Sequence, residues 1–183
     1  MPPTASERES LVEHLTATCD RVLSAISGLT ESQWRFKPAP DLWSIAECSE
    51  HIALTERTIL KMISEDLAGV TADPATLAKA EGKEELIRKA VPNRGRRVKT
   101  PTTAVDPCGT LSRQDVAQLL SETRQRTLAY VGTTEDDLHS RVAPHFVLRE
   151  LDGHQWMLMI SLHTERHTAQ IDEVKAAPGF PAV

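Results

Sequence analysis

Four stretches of the 183-residue chain place apolar side chains three or four positions apart, the spacing of one face of an α-helix. In the first, Leu11, Leu15, Thr18, Val22, Ala25 and Ile26 follow Ser6-Glu7-Arg8-Glu9. That tetrad predicts a capping box, with Ser6 as N-cap and Glu9 reaching back to its amide. Ser27-Gly28 ends the helix, because glycine readily takes the left-handed conformation of a helix C-terminus. In the second, Ile45, Cys48, Ile52, Thr55, Ile59 and Met62 form a stripe running to about Leu67, capped by Ser44 with Glu47 and stapled by Trp43 on Cys48. The third runs from Ser112 to Gly132, with Val116, Leu119, Leu120, Thr123, Thr127, Leu128 and Val131 inward; Leu111 and Val116 make its staple. The last begins near Gly153 and stops before Ala177-Pro178-Gly179-Phe180-Pro181. At about 100° per residue, Trp156, Met159, Ile160, His163, His167, Gln170, Ile171 and Val174 share its inner face. The expected fold is all-α, a single four-helix bundle domain over residues 1–183 with long connecting loops.

The connections are less regular. Thr30-Glu31-Ser32-Gln33 predicts another capping box and one helical turn carrying Trp34. Lys37-Pro38-Ala39-Pro40-Asp41 is extended, since each proline disfavours helix in the residue before it. Residues 74–91 predict one short helix, with Leu77, Leu86 and Ile87 as its apolar contacts. Arg94, Arg96, Arg97 and Lys99 follow as a basic run. Such a run either meets an anionic substrate or is solvated and carboxylate-paired, and the second is the simpler expectation. Residues 139–153 read as irregular, with Pro144 and Asp152-Gly153 as breakers. His139 and His145 lie on that loop; they, His14 and His154 are expected at the surface.

Composition narrows the function class. With 40% hydrophobic and 26% charged residues, the chain is an ordinary soluble protein. A formal net charge of −5 speaks against a general nucleic-acid binder. Cys19, Cys48 and Cys108 are an odd number without C-x-x-C spacing, as expected of free thiols in a reducing compartment. The first residues, M-P-P-T-A-S-E-R-E-S, lack the apolar core of a signal peptide. The longest uncharged run, from Gly153 to His163, is too short to span a bilayer. A cytoplasmic location is therefore expected, with neither nucleic acid nor membrane as partner.

The candidate chemistry sits on the last helix. His163 and His167 are one turn apart inside an apolar stripe, and a buried imidazole must find a partner. Two imidazoles so placed can grip a metal ion; they can equally be core histidines hydrogen-bonded to neighbours. In H-T-E-R-H, Glu165 lies on the opposite side of the helix, so this is not a zinc-protease motif. His51, at the edge of the second stripe, reads by itself as a satisfied boundary histidine. Spacing alone leaves both readings open.

Taken together, W-S-I-A-E-C-S-E-H-I (from Trp43) and H-T-E-R-H-T-A-Q-I-D-E-V (from His163) resemble the DinB-like superfamily. There a W-S-x-x-E-x-x-x-H segment on the second helix and an H-x-x-x-H segment on the last share one metal ion. The resemblance extends to the L-T-E-S-Q-W turn, the G-H-Q-W approach to the last helix and the P-G-F-P tail. It implies His51, His163 and His167 as metal ligands, a down-up-up-down bundle, and homodimers. Three neutral imidazoles would leave a coordination position open, as catalytic sites do. Zinc is the first expectation for such a set, with nickel, iron or manganese as alternatives. Gln170, near His167 on the same face, is a candidate for orienting a ligand. Glu47, one turn before His51, is another, although its capping role accounts for it.

Family members include low-molecular-weight-thiol-dependent transferases and isomerases, metal-dependent hydrolases, and proteins of no known activity. Three expectations follow: transfer of a small thiol to a small electrophile, hydrolysis, or a non-catalytic bundle that binds metal and partners. The sequence shows no general base beside the histidines, which tilts the expectation towards thiol transfer or no catalysis over hydrolysis. Residues 70–111 and 139–153 are the loops from which a base could come.

Overall fold

In the computed structural model, which describes residues 1–95 and 102–182, helix α1 spans Ala5–Ile26 from an N-cap at Thr4. The sequence holds two overlapping box patterns, and the earlier one forms. Glu7 Oε2 accepts from Thr4 N–H at 2.8 Å. Glu7 also meets His139 Nε2 at 3.1 Å, a partner that local sequence cannot reveal. Helix α2 (Glu31–Arg35) starts at the predicted Thr30–Gln33 box. Its Trp34 is fully buried and donates Nε1–H to Leu111 O at 3.1 Å. Helix α3 (Ile45–Lys61) starts at the Ser44–Glu47 box and widens into a π turn over Met62–Asp66 where continued α-helix was expected. The single helix expected over residues 74–91 is two, α4 (Pro74–Ala80) and α5 (Glu84–Ala90), parted at Gly82, whose φ is +70°. Helix α6 covers Arg113–Thr133 and α7 covers Gly153–Lys175.

Helices α1, α3, α6 and α7 form the four-helix bundle. Both α1 and α3 pack against α6 and α7, so α1 and α3 stand diagonally opposite although consecutive among the long helices. Cross-links give the directions. Lys175 reaches Ala25 O, and His139 bridges Glu7 and the α7 N-cap Asp152, so α1 and α7 run parallel. Arg8, at the start of α1, reaches Val131 O and Thr134 O at the end of α6. A Cβ on Gly153 would lie 3.4 Å from Ile63, so the end of α3 meets the start of α7. The result is down-up-up-down.

Two apolar clusters fill the interior. One holds Leu11, Ile63, Leu138, Leu151 and Met157; the other holds Val22, Trp34, Ile52, Val116 and Ile171. Between them Arg124, on α6, touches the other three long helices. It pairs with Glu56 through two bonds of 2.7 and 2.8 Å, meets Leu15 O and Thr18 Oγ1 on α1, and donates to Thr164 Oγ1 at 3.2 Å. Both members of the pair are almost fully buried.

The stretch expected to be irregular, residues 139–153, contains an antiparallel hairpin instead. β1 (Val142–His145) pairs with β2 (Arg149–Asp152), Ala143 opposite Leu151 and His145 opposite Arg149. Pro144 is tolerated because a two-stranded sheet has only edges, and Ala143 and Leu151 bury the inner face. Among the described residues no helix is long and apolar enough to cross a membrane.

Candidate metal centre

The capping box at Ser44 sets the start of α3 so that His51 faces α7 across the bundle groove. His51, His163 and His167 come together there, each offering one ring nitrogen within 4.8 Å of the others. His51 Nε2 and His163 Nε2 are 3.2 Å apart, and the three ring centroids are 4.4–5.0 Å apart. His51 and His167 are buried and His163 is half-buried.

Hydrogen bonds fix where the protons sit. His51 Nδ1–H donates to Val105 O at 2.7 Å, so its Nε2 presents a lone pair inward. Arg94 donates to Gln170 Oε1 at 3.1 Å; since arginine only donates, that atom must be the amide oxygen. His167 Nδ1 lies 2.9 Å from the same oxygen and must therefore carry its proton, again leaving Nε2 bare. Converging bare lone pairs are what a cation requires, and the outer N–H of His51 and that of His167 are held as in histidine metal sites. Burial lowers the basicity of all three rings, and their mutual repulsion when charged adds to this at His163 and His167. The rings therefore stay neutral, the form that ligates. The donor set fits a divalent ion with an open position.

A strap carries Val105 to His51. Residues 103–105 form a 3₁₀ turn against α3, and the chain beyond is pinned by the buried carboxylate of Glu50. Glu50 accepts from Cys108 Sγ at 3.1 Å and from Gly109 N–H at 2.8 Å. Gly109, at φ +67°, passes so close that a Cβ would lie 2.9 Å from Glu47 Cγ. Glu47 itself caps Ser44 and pairs with Lys37; it closes the capping box and orients no histidine.

The triad opens into a cavity of about 1130 Å³, walled largely by apolar side chains that include Trp43, Met62, Leu148, Trp156 and Met159. Trp43 stacks 4.7 Å from the His51 ring and 5.9 Å from that of His167. Thr55, one turn after His51, also lines it, and its Oγ1 is buried without a hydrogen-bond partner among the described residues. Arg94 belongs to the wall, held by Glu173 through two 2.6 Å bonds. Arg96, Arg97 and Lys99, the rest of the basic run, lie outside the described residues. Gln170 plays the orienting role its spacing suggests.

Sequence reasoning missed three contributors: Val105, Asp106 beside it on the rim, and His145 on the hairpin. The first two have no local signal, and the third was placed at the surface because the hairpin was not foreseen. His139, by contrast, faces the other end of α7, bonded to Asp152 and Glu7. The three cysteines are free thiols, Cys19 and Cys48 buried and Cys108 exposed.

Comparison with known proteins agrees with this architecture. An uncharacterized protein of Bacillus subtilis (strain 168), YuaE, is 26% identical over 150 residues, covering 82% of this chain and 88% of its own. The solved structure of YfiT from Bacillus subtilis, described as a probable metal-dependent hydrolase with an unusual four-helix bundle topology, superposes with a TM-score of 0.59. The match covers 98% of this chain and 91% of YfiT at 15% identity, a likeness of fold. The sequence model of the DinB superfamily matches residues 14–171, which include α3, α6 and all three histidines, and the chain belongs to that superfamily.

Proposed function

We propose that this protein is a divalent-metal-dependent hydrolase of small molecules, with His51, His163 and His167 as the metal ligands. The observation that carries the reading is the convergence of bare imidazole nitrogens on the wall of a large apolar cavity. The description of YfiT as a probable metal-dependent hydrolase supports it. A bound ion would supply Lewis acidity and lower the pKa of a water in its open position; zinc is the first choice, nickel, iron or manganese the alternatives.

The chain's own residues do the rest. Val105 O and Gln170 Oε1 hold the outer protons of two ligand rings. Trp43 shields the rings on one side. Asp106 lines the cavity, and its charge reaches His51. It is the candidate for the general base, whose absence from the sequence tilted the expectation towards thiol transfer or no catalysis. Its carboxylate accepts the proton as water attacks.

Transfer of a low-molecular-weight thiol to a small electrophile is the second reading. It is favoured by Arg94 and Arg166 on the cavity wall, where an anionic thiol carrier would meet positive charge. The test begins with element-resolved metal content of tag-free protein. The loaded protein is then assayed on ester and amide panels, and on thiols with a generic electrophile, beside His167→Ala. Metal-dependent, thiol-independent cleavage lost in His167→Ala supports the hydrolase. Thiol-dependent turnover lost in the same variant replaces it with the transferase. Stoichiometric metal without turnover in either assay leaves a non-catalytic metal-binding bundle.

A further inference from the structure

A fourth histidine stands on the same cavity. His145 ends β1 and, with Phe146, Val147 and Leu148, brings the hairpin tip to the wall. Its Nδ1 accepts the backbone N–H of Val147 at 3.2 Å and of Leu148 at 3.0 Å. A nitrogen that accepts has no proton, so the ring's proton is on Nε2. Among the described residues, that N–H meets no acceptor. The turn that fixes it also requires Arg149 at φ 64°, a conformation costly to a residue with a Cβ. The ring lies 5.5 Å from that of Trp156, and burial presses its pKa down to about 4, so it is uncharged at neutral pH. It is close enough to the triad that a proton on it would be felt at His163.

A cavity with apolar walls and a fixed, uncharged donor discriminates in a definite way. An apolar body is accepted by the wall, and a carbonyl oxygen can accept from an N–H that has no acceptor among the described residues. A neutral imidazole offers an ionised group far less than a cation would, and the two arginines of the wall are already engaged, Arg94 by Glu173 and Arg166 by the carbonyls of Val91 and Asn93.

We infer that His145 is a substrate-binding donor, and that the cavity takes neutral acyl compounds, amides or esters, with an apolar chain. The chain lies against Trp43, Met62, Trp156 and Met159, and the carbonyl oxygen accepts from His145 Nε2–H. This rests on the reading of the triad as a metal-dependent hydrolytic centre, and it sharpens that reading to a substrate class.

The experiment uses octanamide as the probe, titrated into tag-free protein and followed through the emission of Trp43 and Trp156. Metal content is measured on the same samples. His145→Asn is the informative variant. Its Oδ1 can accept from the amides two and three residues on, as an Asx turn does, while its own NH₂, on a shorter arm, does not reach the place of the lost Nε2–H. Circular dichroism checks that the helices persist, and His145→Gln, which keeps an N–H donor on a longer arm, supplies the rescue. The expected result is binding by wild type, about tenfold weaker binding by His145→Asn, partial recovery in His145→Gln, and metal content unchanged throughout. Equal affinity in wild type and His145→Asn, or no octanamide binding by wild type, overturns the inference. Protein without metal that still binds octanamide through His145 would overturn the metal reading and leave the donor in place.

Discussion

Arg94 and His167 hydrogen-bond to one atom, the Oε1 of Gln170, at 3.1 and 2.9 Å. Arginine has no acceptor, so its presence fixes which way the amide points, and the amide in turn fixes the tautomer of the ring. Glu173 holds Arg94 from the far side. A surface ion pair is thereby linked in three steps to the nitrogen proposed to bind metal.

Gln170→Ala should lower metal affinity about 10- to 100-fold, the usual consequence of losing a partner that orients a ligand. Arg94→Met should have a smaller effect in the same direction, because the freed amide can turn its NH₂ towards the ring. Competition against a chromophoric chelator measures both. Unchanged affinity in Gln170→Ala would show that the network only ties the loop after α5 to α7.

The pair Glu56–Arg124 makes a contrasting prediction, on stability. Arg124→Leu leaves a carboxylate buried at 2% exposure without its partner, which costs about 3–5 kcal/mol. Removing both charges, with Glu56→Leu added, should recover much of that loss, since two apolar side chains then occupy the layer. Urea unfolding of the two variants gives the comparison. Additive losses would mean that the polar layer stabilises the bundle in its own right.

These features differ in how far the sequence discloses them. The caps at Thr30, Ser44 and Ser112 and the helical stripes are local, and the chain follows them. Two S/T-x-x-E patterns overlap at the N-terminus, and the one that forms is the one whose Glu7 also meets His139, 132 residues away. The hairpin escaped notice because each strand has four residues, one contains proline, and neither shows enough alternation to mark a strand. The histidines were recognisable as a set by family resemblance, whereas Val105 and Asp106 were not. Their position depends on a strap held by side chains distant in sequence, Glu50 on Cys108 and Gly109 and Arg35 on Gly109 and Thr110.

The pH dependence of stability should have a maximum near pH 6.5 in metal-free protein. The hydrogen bond to Asp152, outweighing burial and assisted by Glu7, raises His139 to about 9. Between about 6.5 and 9 the folded state therefore holds a proton that the unfolded state releases, and stability falls as pH rises through that window. On the acid side His51, His145, His154, His163 and His167 are all lowered, burial being the first cause of each. Below about 6.5 the unfolded chain takes up those protons first, so stability falls as pH falls. His139→Gln should flatten the alkaline limb of Tm against pH and spare the acid limb. An alkaline limb identical to wild type would remove His139 as its cause.

The last prediction separates backbone conformation from close approach. Gly28 and Gly109 have nearly the same φ, +71° and +67°, but a Cβ at Gly28 would meet nothing within 4 Å, whereas one at Gly109 would lie 2.9 Å from Glu47 Cγ. Gly28→Ala should therefore show the conformational cost alone, about 1–2 kcal/mol, with metal binding unchanged. Gly109→Ala adds a clash beneath the strap. Because Glu47 is held by Ser44 and Lys37, the strap is expected to lift, which stretches the Gly109 N–H bond to Glu50 and draws Val105 O away from His51 Nδ1. Greater destabilisation than in Gly28→Ala is expected, together with a loss of metal affinity that Gly28→Ala does not show. Urea unfolding and chelator competition on the two variants supply the four numbers needed. Equal effects of both substitutions on both measurements would mean that the strap does not orient His51.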